Sequence, residues 1–501
     1  MAKLEALGTR PRGQGRPCKN DVMMIPPSLS RRSLLERCGM GLGMLGLAGV
    51  LHDEDRLFAA PSLDPMAPRE PHFPPKAKRV IWLFLNGGPS HIDTWDYKPE
   101  LAKRHGQELE GFDRFTGFFS KEVGALMKSP FEFSPCGESG KMVSEIFPHL
   151  GEHVDKMAFI HSGYTETNNH SPALFMMNSG QARMGFPCLG SWLTYGLGSE
   201  SRDLPGFVVM SDPKGRGLPK GAAANWSAGY LPGVYQGTWL RPTGDPIKNL
   251  ERRAGMSDGR QRAQLDLMAE LNGRDLEQNP GEAELAARIE SFELAYRMQM
   301  AAPEAMDVER EPAHIQQLYG LHEEHCGHMA RQCLMARRLV ERGVRFVQIY
   351  SGGNENQSAW DGHIDIRGNH SRFAGETDQP MAALLADLEQ RGLLEDTLVI
   401  WGGEFGRLPL AQIGTAKPGR DHNPHCFTAW MAGGGVKGGV SYGESDELGL
   451  KAAVNRVAVN DFHATILHLL GLEHERLTYK YNGRRFRLTD VAGEVLHEII
   501  A

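Results

Sequence analysis

Cysteine is scarce. The 501-residue chain has seven, and two of them, Cys18 and Cys38, fall near its start. The other five, Cys136, Cys188, Cys326, Cys333 and Cys426, are scattered singly, which excludes a disulfide framework. A basic excess is also missing: 55 Lys and Arg stand against 62 Asp and Glu, for a formal net charge of -7. The positive residues are interspersed with acidic ones rather than gathered in a stripe, which argues against a nucleic-acid partner. There is no internal repeat, so a repeat array is excluded. The remaining composition, 41% hydrophobic and 23% charged, is that of an ordinary globular chain with ample length for a core.

The segment Ser30-Arg31-Arg32-Ser33-Leu34-Leu35, a Gly/Leu/Met/Ala run from Gly39 to Leu51 and the small residues Ala59-Ala60 resemble a twin-arginine signal peptide. The apolar run is too short and too glycine-rich to span a bilayer as a stable helix. Residues 1–60 are therefore expected to be leader, with translation starting at Met23 or Met24. The expected location is periplasmic or otherwise exported, the translocase is a transient partner, and no transmembrane anchor remains after cleavage. Export through this route carries folded protein, which suits a chain that loads a metal in the cytoplasm.

Beyond a proline-rich spacer, residues 61–501 read as one elaborated α/β domain. Arg79 to Leu85 is an unbroken apolar run ending at Asn86-Gly87-Gly88-Pro89, the pattern of a buried parallel strand with a loop at its carboxyl end. Met157 to Ile160, Val344 to Tyr350, Thr397 to Trp401 and Phe427 to Met431 read as further strands. His161 to Ser171 reads as a polar loop. Helices are expected from His314 to Arg342, from Asp378 to Arg391 with Gly392 as cap, and from Phe462 to Leu470. From Pro205 to Pro303 the pattern changes to Gly/Pro-rich loops and a charged helix, which reads as an inserted cap.

Polar clusters follow these strands: Trp360-Asp361-Gly362-His363, Gly403-Glu404-Phe405-Gly406-Arg407 and Gly419-Arg420-Asp421-His422-Asn423-Pro424-His425. Loops at strand carboxyl ends share one edge of a parallel sheet, where ligands gather. Mixed Asp, Glu and His donors suit zinc, manganese or calcium. Asp93, beyond the first strand, is a further candidate. Taken singly, each of these residues is more often a cap or turn former; it is their recurrence at glycine-flanked strand ends that points to a metal. His322, His325 and His328 with Cys326 and Cys333 read as a solvated helix face, and Gly433 to Gly439 as a turn without the order of a phosphate loop.

The leader, Gly87-Gly88-Pro89-Ser90-His91-Ile92-Asp93, Trp360 to His363, Gly403 to Arg407 and Gly419 to His422 together resemble the bacterial family called domain of unknown function 1501, over nearly the whole chain after the leader. That family is similar to the alkaline phosphatase and sulfatase superfamily. The resemblance implies a three-layer sandwich around a mostly parallel sheet and a centre of divalent metal ions. It further implies hydrolysis of phosphate or sulfate esters, on a small-molecule or polysaccharide substrate. Asp361, His363, Asp421 and His422 would be the core ligands, with Asp93, Glu404 and His425 in support. Arg407 or Arg420 would neutralise charge developing on the transferred group. The match departs from the superfamily at two points: Phe405 stands where a histidine ligand is usual, and His170 stands where the nucleophile is usual. A formylglycine mechanism is excluded on that ground. The attacking group is left open between Ser171, Thr167 and Thr165 activated by a metal, His170 itself, which is otherwise a metal ligand, or none. In the last case the chain is a non-catalytic relative that binds metal and carbohydrate or envelope components.

Overall fold

The run Arg79–Leu85 forms strand β1 over those residues, within a nine-stranded sheet in the computed structural model of the protein. The structure describes residues 64–501 apart from 242–246, 248, 249, 251, 253, 279–282, 355 and 415. The expected leader lies outside the described residues. The other strands of the main sheet are β2 (Met157–Tyr164), β3 (Phe207–Met210), β4 (Thr238–Leu240), β5 (Phe346–Ser351), β6 (Thr397–Gly402), β9 (Phe427–Ala432), β10 (Val440–Tyr442) and β11 (Val457–Ala458). A small antiparallel pair, β7 (Gly406–Arg407) and β8 (His422–Asn423), lies between β6 and β9 in sequence.

In space the sheet order is β10-β2-β9-β6-β1-β5-β3-β4, with β11 beside β2. Its pairings are parallel except the two made by β9, which runs antiparallel to both β2 and β6. The fold is thus mixed α/β with a mostly parallel central sheet. The reversal of β9 was not expected, and it matters: the residues that precede β9 reach the same edge as those that follow β1, β5 and β6.

Both faces of the sheet are covered, which is why its strands read as continuous apolar runs. Ile81, Leu83 and Leu85 point into one core and Val80, Trp82 and Phe84 into the other. The first is packed by α6 (Ala313–Tyr319), α7 (Gly327–Glu341) and α8 (Ile366–Gln390), the second by α2 (His170–Ser179), α3 (Leu189–Leu197) and α9 (Val459–Leu469). No described helix is long and apolar enough to cross a membrane.

Several boundaries differ from the sequence reading. The single helix expected from His314 to Arg342 is two, because Gly320 takes φ +72° and a Cβ there would sit 2.8 Å from Cys326 Sγ. Cys326 and Cys333 are buried and His328 meets Glu376 at 3.3 Å, so only His322 and His325 of that group are exposed. The polar loop expected from His161 to Ser171 is shorter. Pairing with β9 and β11 carries β2 on to Tyr164, and α2 starts at His170 with the Asn169 side chain accepting from the Ser171 N–H. The segment expected as a cap, 205–303, begins inside the sheet with β3 and β4 and then forms the long helices α4 (Asp258–Gln278) and most of α5 (Ala283–Met306).

One glycine sets the approach of two layers at the working edge. Gly87 has φ +109°, and a Cβ on it would lie 2.6 Å from the main-chain nitrogen of Asp361. Gly87→Ala is expected to lower unfolding free energy by about 1–3 kcal/mol, the cost of one residue forced into such a conformation, as read by urea denaturation.

Candidate metal centre

Four side chains from three segments meet at this edge. His170 is the first residue of α2, Asp361 and His363 lie in the loop after β5, and His422 opens β8. All four are buried, and one ligand atom from each lies within 4.8 Å of every other.

Their orientation is set ring by ring. His363 Nδ1 is 2.7 Å from Gln412 Oε1, and Gln412 uses its amide nitrogen to donate to Glu122 at 2.6 Å, so the amide oxygen is left to accept and Nδ1 carries the proton. His422 Nδ1 donates to the Asn168 carbonyl at 2.6 Å. His170 Nδ1 donates to Glu404 Oε1 at 2.7 Å, and Glu404 is itself held by the Gly87 N–H at 2.9 Å. With Nδ1 committed in every ring, the three Nε2 atoms are turned inward. They lie 3.1 Å (His170), 2.9 Å (His363) and 3.2 Å (His422) from the Asp361 carboxylate. His363 Nε2 and His422 Nε2 are 2.9 Å apart.

Lone pairs aimed at one another and at a carboxylate repel unless a cation sits among them. Without a metal that cation is a proton. Burial opposes charge on His170, yet Asp361 and Glu404 outweigh it and raise its pKa above the usual imidazole range. His422 goes the other way, pushed well down by burial and by the charge on His170. Burial also opposes charge on Asp361, but Arg407 and the three imidazoles hold its carboxyl well below the usual range. Three imidazole nitrogens and one carboxylate oxygen, each ring oriented by a second partner, match the donor set and the outer support of a zinc-type site. The residues present therefore fit a divalent ion.

The other residues singled out in the sequence have different partners. Asp93 is not in the cluster: it pairs with Arg420 Nε at 2.7 Å and accepts from Ser90 Oγ at 2.6 Å. Glu404 stands behind His170 rather than beside the other ligands. Asp421 accepts the main-chain N–H groups of His422 and Phe119, each at 2.7 Å, and so seats the Phe118–Phe119 loop over the imidazoles. His425 is exposed and lies outside the cluster. Arg407 is fully buried and engaged with Asp361 Oδ1 at 2.6 Å and with the carbonyls of Gly87, Gly88 and Arg420, so four of its five N–H groups are turned to the protein. Ser171 is half-buried at the start of α2.

Several contributors were not singled out from sequence. Gln412, Glu122 and Asn168 orient imidazoles. Phe118, Phe119, Asn169, Lys220 and Asn356 line a cavity of about 70 Å³ against His170, Asp361, His363 and His422. None carried a signal: Lys220 lies within the presumed cap, and Gln412 ends a short strand between two of the polar clusters with no motif of its own.

The edge of a mostly parallel α/β sheet thus carries a buried cage of three histidines and an aspartate, which defines a candidate metalloprotein. The chain belongs to the family described as protein of unknown function (DUF1501), whose model matches residues 77–500. No curated protein matches it. Among solved structures it is similar to a phosphonate monoester hydrolase from Silicibacter pomeroyi, at 12% identity and TM-score 0.34 over 79% of this chain and 73% of that one. It is also similar to a protein in the alkaline phosphatase superfamily from Vibrio parahaemolyticus, at 10% identity and TM-score 0.34 over 83% and 72%. A third is the alkaline phosphatase from the Antarctic bacterium TAB5, at 10% identity and TM-score 0.30 over 79% and 98%.

The placement of Asp93 separates two roles. Asp93→Asn is expected to cost about 3–5 kcal/mol by leaving Arg420 buried without its counter-charge, while the metal content of the purified protein stays unchanged. A loss of metal without a loss of stability would return Asp93 to the ligand set.

Proposed function

We propose that the chain is a metal-dependent hydrolase of phosphate or sulfate esters. The observation that carries this reading is the convergence of three bare Nε2 atoms and the Asp361 carboxylate on one point beside a polar cavity. His170, Asp361, His363 and His422 would hold the ion, and the excess of imidazole over oxygen donors favours zinc or manganese over calcium. An ion bound there supplies Lewis acidity toward an ester oxygen and makes water nucleophilic at neutral pH.

The chain's own groups supply the rest. Lys220, Asn169 and Asn356 line the same cavity as the cage, where an ammonium and two amides would bind the anionic oxygens of the ester. Lys220 thus takes the charge-neutralising part that Arg407, engaged with Asp361, cannot play. Phe118, Phe119 and Phe405 pack against the imidazoles, with Phe405 4.5 Å from the His422 ring and Phe119 5.0 Å from that of His363, and exclude bulk water. Among the described residues no serine, threonine or cysteine lines the cavity, which supports water as the attacking group. Its oxygen would bond to phosphorus or sulfur as the ester oxygen leaves with a proton. The small cavity, about 70 Å³, favours a second reading: a non-catalytic relative that keeps the ion and binds carbohydrate or envelope components at its surface. Turnover on aryl phosphate and aryl sulfate panels separates the two.

Removing His422 or Asp361 as alanine variants should strip the ion from the purified protein and abolish turnover. Gln412→Leu, which frees the His363 ring, should weaken metal affinity roughly 10–100-fold with the ligands intact. Lys220→Gln should lower kcat/KM about tenfold, chiefly through kcat, the loss of one charged hydrogen bond to the developing charge worth about 1.5 kcal/mol. Undiminished metal in both ligand variants would refute the site.

We further propose export by the twin-arginine route. Replacing Arg31 and Arg32 together by lysine should leave the protein in the cytoplasm on cell fractionation, and unchanged export would refute the leader.

A further inference from the structure

The strand pair β7 and β8 has two faces. Arg407 and His422 look toward the cage, while their neighbours Gly406 and Asn423 look the other way, as alternation along a strand requires. On that second face lies another cluster. His91 opens the short helix α1 (His91–Thr94), Asp96 follows it, and Cys426 precedes β9. All three are buried, with one ligand atom of each within 4.8 Å of the others.

The His91 ring is oriented as a ligand's would be. Its Nε2 is 2.8 Å from the Gly449 carbonyl and must carry the proton to donate there. Nδ1 is then a bare lone pair, buried and without a hydrogen-bond partner. A buried orphan of that kind is destabilising unless something occupies it. Nδ1 lies against Gly406, where a Cβ would come within 2.5 Å of it, so only glycine lets the ring take this position. Asp96 accepts from Lys98 Nζ at 2.9 Å through Oδ1 and from Ser445 Oγ through Oδ2, and each oxygen keeps a second lone pair. The Cys426 thiol meets the His161 carbonyl at 3.4 Å and the Ser445 side chain. Asp96 also borders a polar cavity of about 460 Å³, shared with Lys98, His161 and Ser441.

We propose that His91, Asp96 and Cys426 form a second metal site, for a zinc-class cation, separate from the histidine cage. Nitrogen, oxygen and sulfur donors are the zinc set, and three protein ligands leave a fourth position for a small molecule from the cavity. Binding releases the thiol proton to solvent, so Cys426 coordinates as thiolate. Lys98 and Ser445 stay on the outer side of the Asp96 carboxylate and orient it.

Sulfur makes the site distinguishable from the cage, which has none. The full chain, freed of metal by chelation, is titrated with Co(II) and followed by absorption. The expected result is two bound equivalents and a thiolate-to-cobalt charge-transfer band in the near ultraviolet. Cys426→Ser should abolish that band and one equivalent, His91→Gln should weaken the band's titration at least tenfold, and His422→Ala should leave the band in place. Saturation of the wild-type chain without a thiolate band, or a band that survives Cys426→Ser, overturns the proposal. If Cys426→Ser fails to fold, the wild-type titration and His91→Gln decide it.

Discussion

The Asp361 carboxylate is the group on which the working edge depends. It is buried, and four nitrogen-bearing side chains surround it: Arg407 and the imidazoles of His170, His363 and His422. A carboxylate so placed without counter-charge would cost several kcal/mol, so its neighbours are not free to rearrange one at a time. Arg407 carries the constraint outward, because the same guanidinium also holds the carbonyls at the end of β1. The end of the first strand, the loop after β5 and the β7–β8 pair are thereby tied to a single charge. The imidazoles are then fixed from behind by an amide, a carbonyl and a carboxylate.

Much of this was legible in the sequence. The central strands showed because burial on both faces leaves no polar alternation to blur them, and the glycine-flanked segments at 360–363 and 419–422 marked strand-end loops. His170, Asp361, His363 and His422 were all singled out, though His170 first for its place in a motif and only alternatively for coordination. What sequence does not carry is which long-range partner claims a given side chain. Asp93 and Arg420 are 327 positions apart, and their pairing removes both from the roles that spacing suggests. Arg407 is likewise turned inward by a partner 46 positions away.

Strand direction was the other hidden quantity. Phe427 to Ala432 has the same apolar run whether it lies parallel or antiparallel to its neighbours, since both arrangements bury it on both faces. The two-residue pair β7–β8 is too short to leave any periodic trace, yet it separates the histidine cage from the cluster of His91, Asp96 and Cys426. Helix breaks were more readable in hindsight than in advance: Gly320 ends a helix because its conformation is left-handed, and that depends on Cys326 packing beside it.

The reversal of β9 also governs timing. Because that strand slots between β2 and β6, and because His422 lies in the short strand just ahead of it, the cage cannot close until the ribosome has delivered residues well past the middle of the chain. During synthesis β1, β5 and β6 can associate with one another, but they leave a gap where β9 belongs and an edge with only part of its ligands. A nascent chain therefore has no complete site with which to capture an ion, and the cage first exists when a late strand inserts into the interior of a nearly finished sheet.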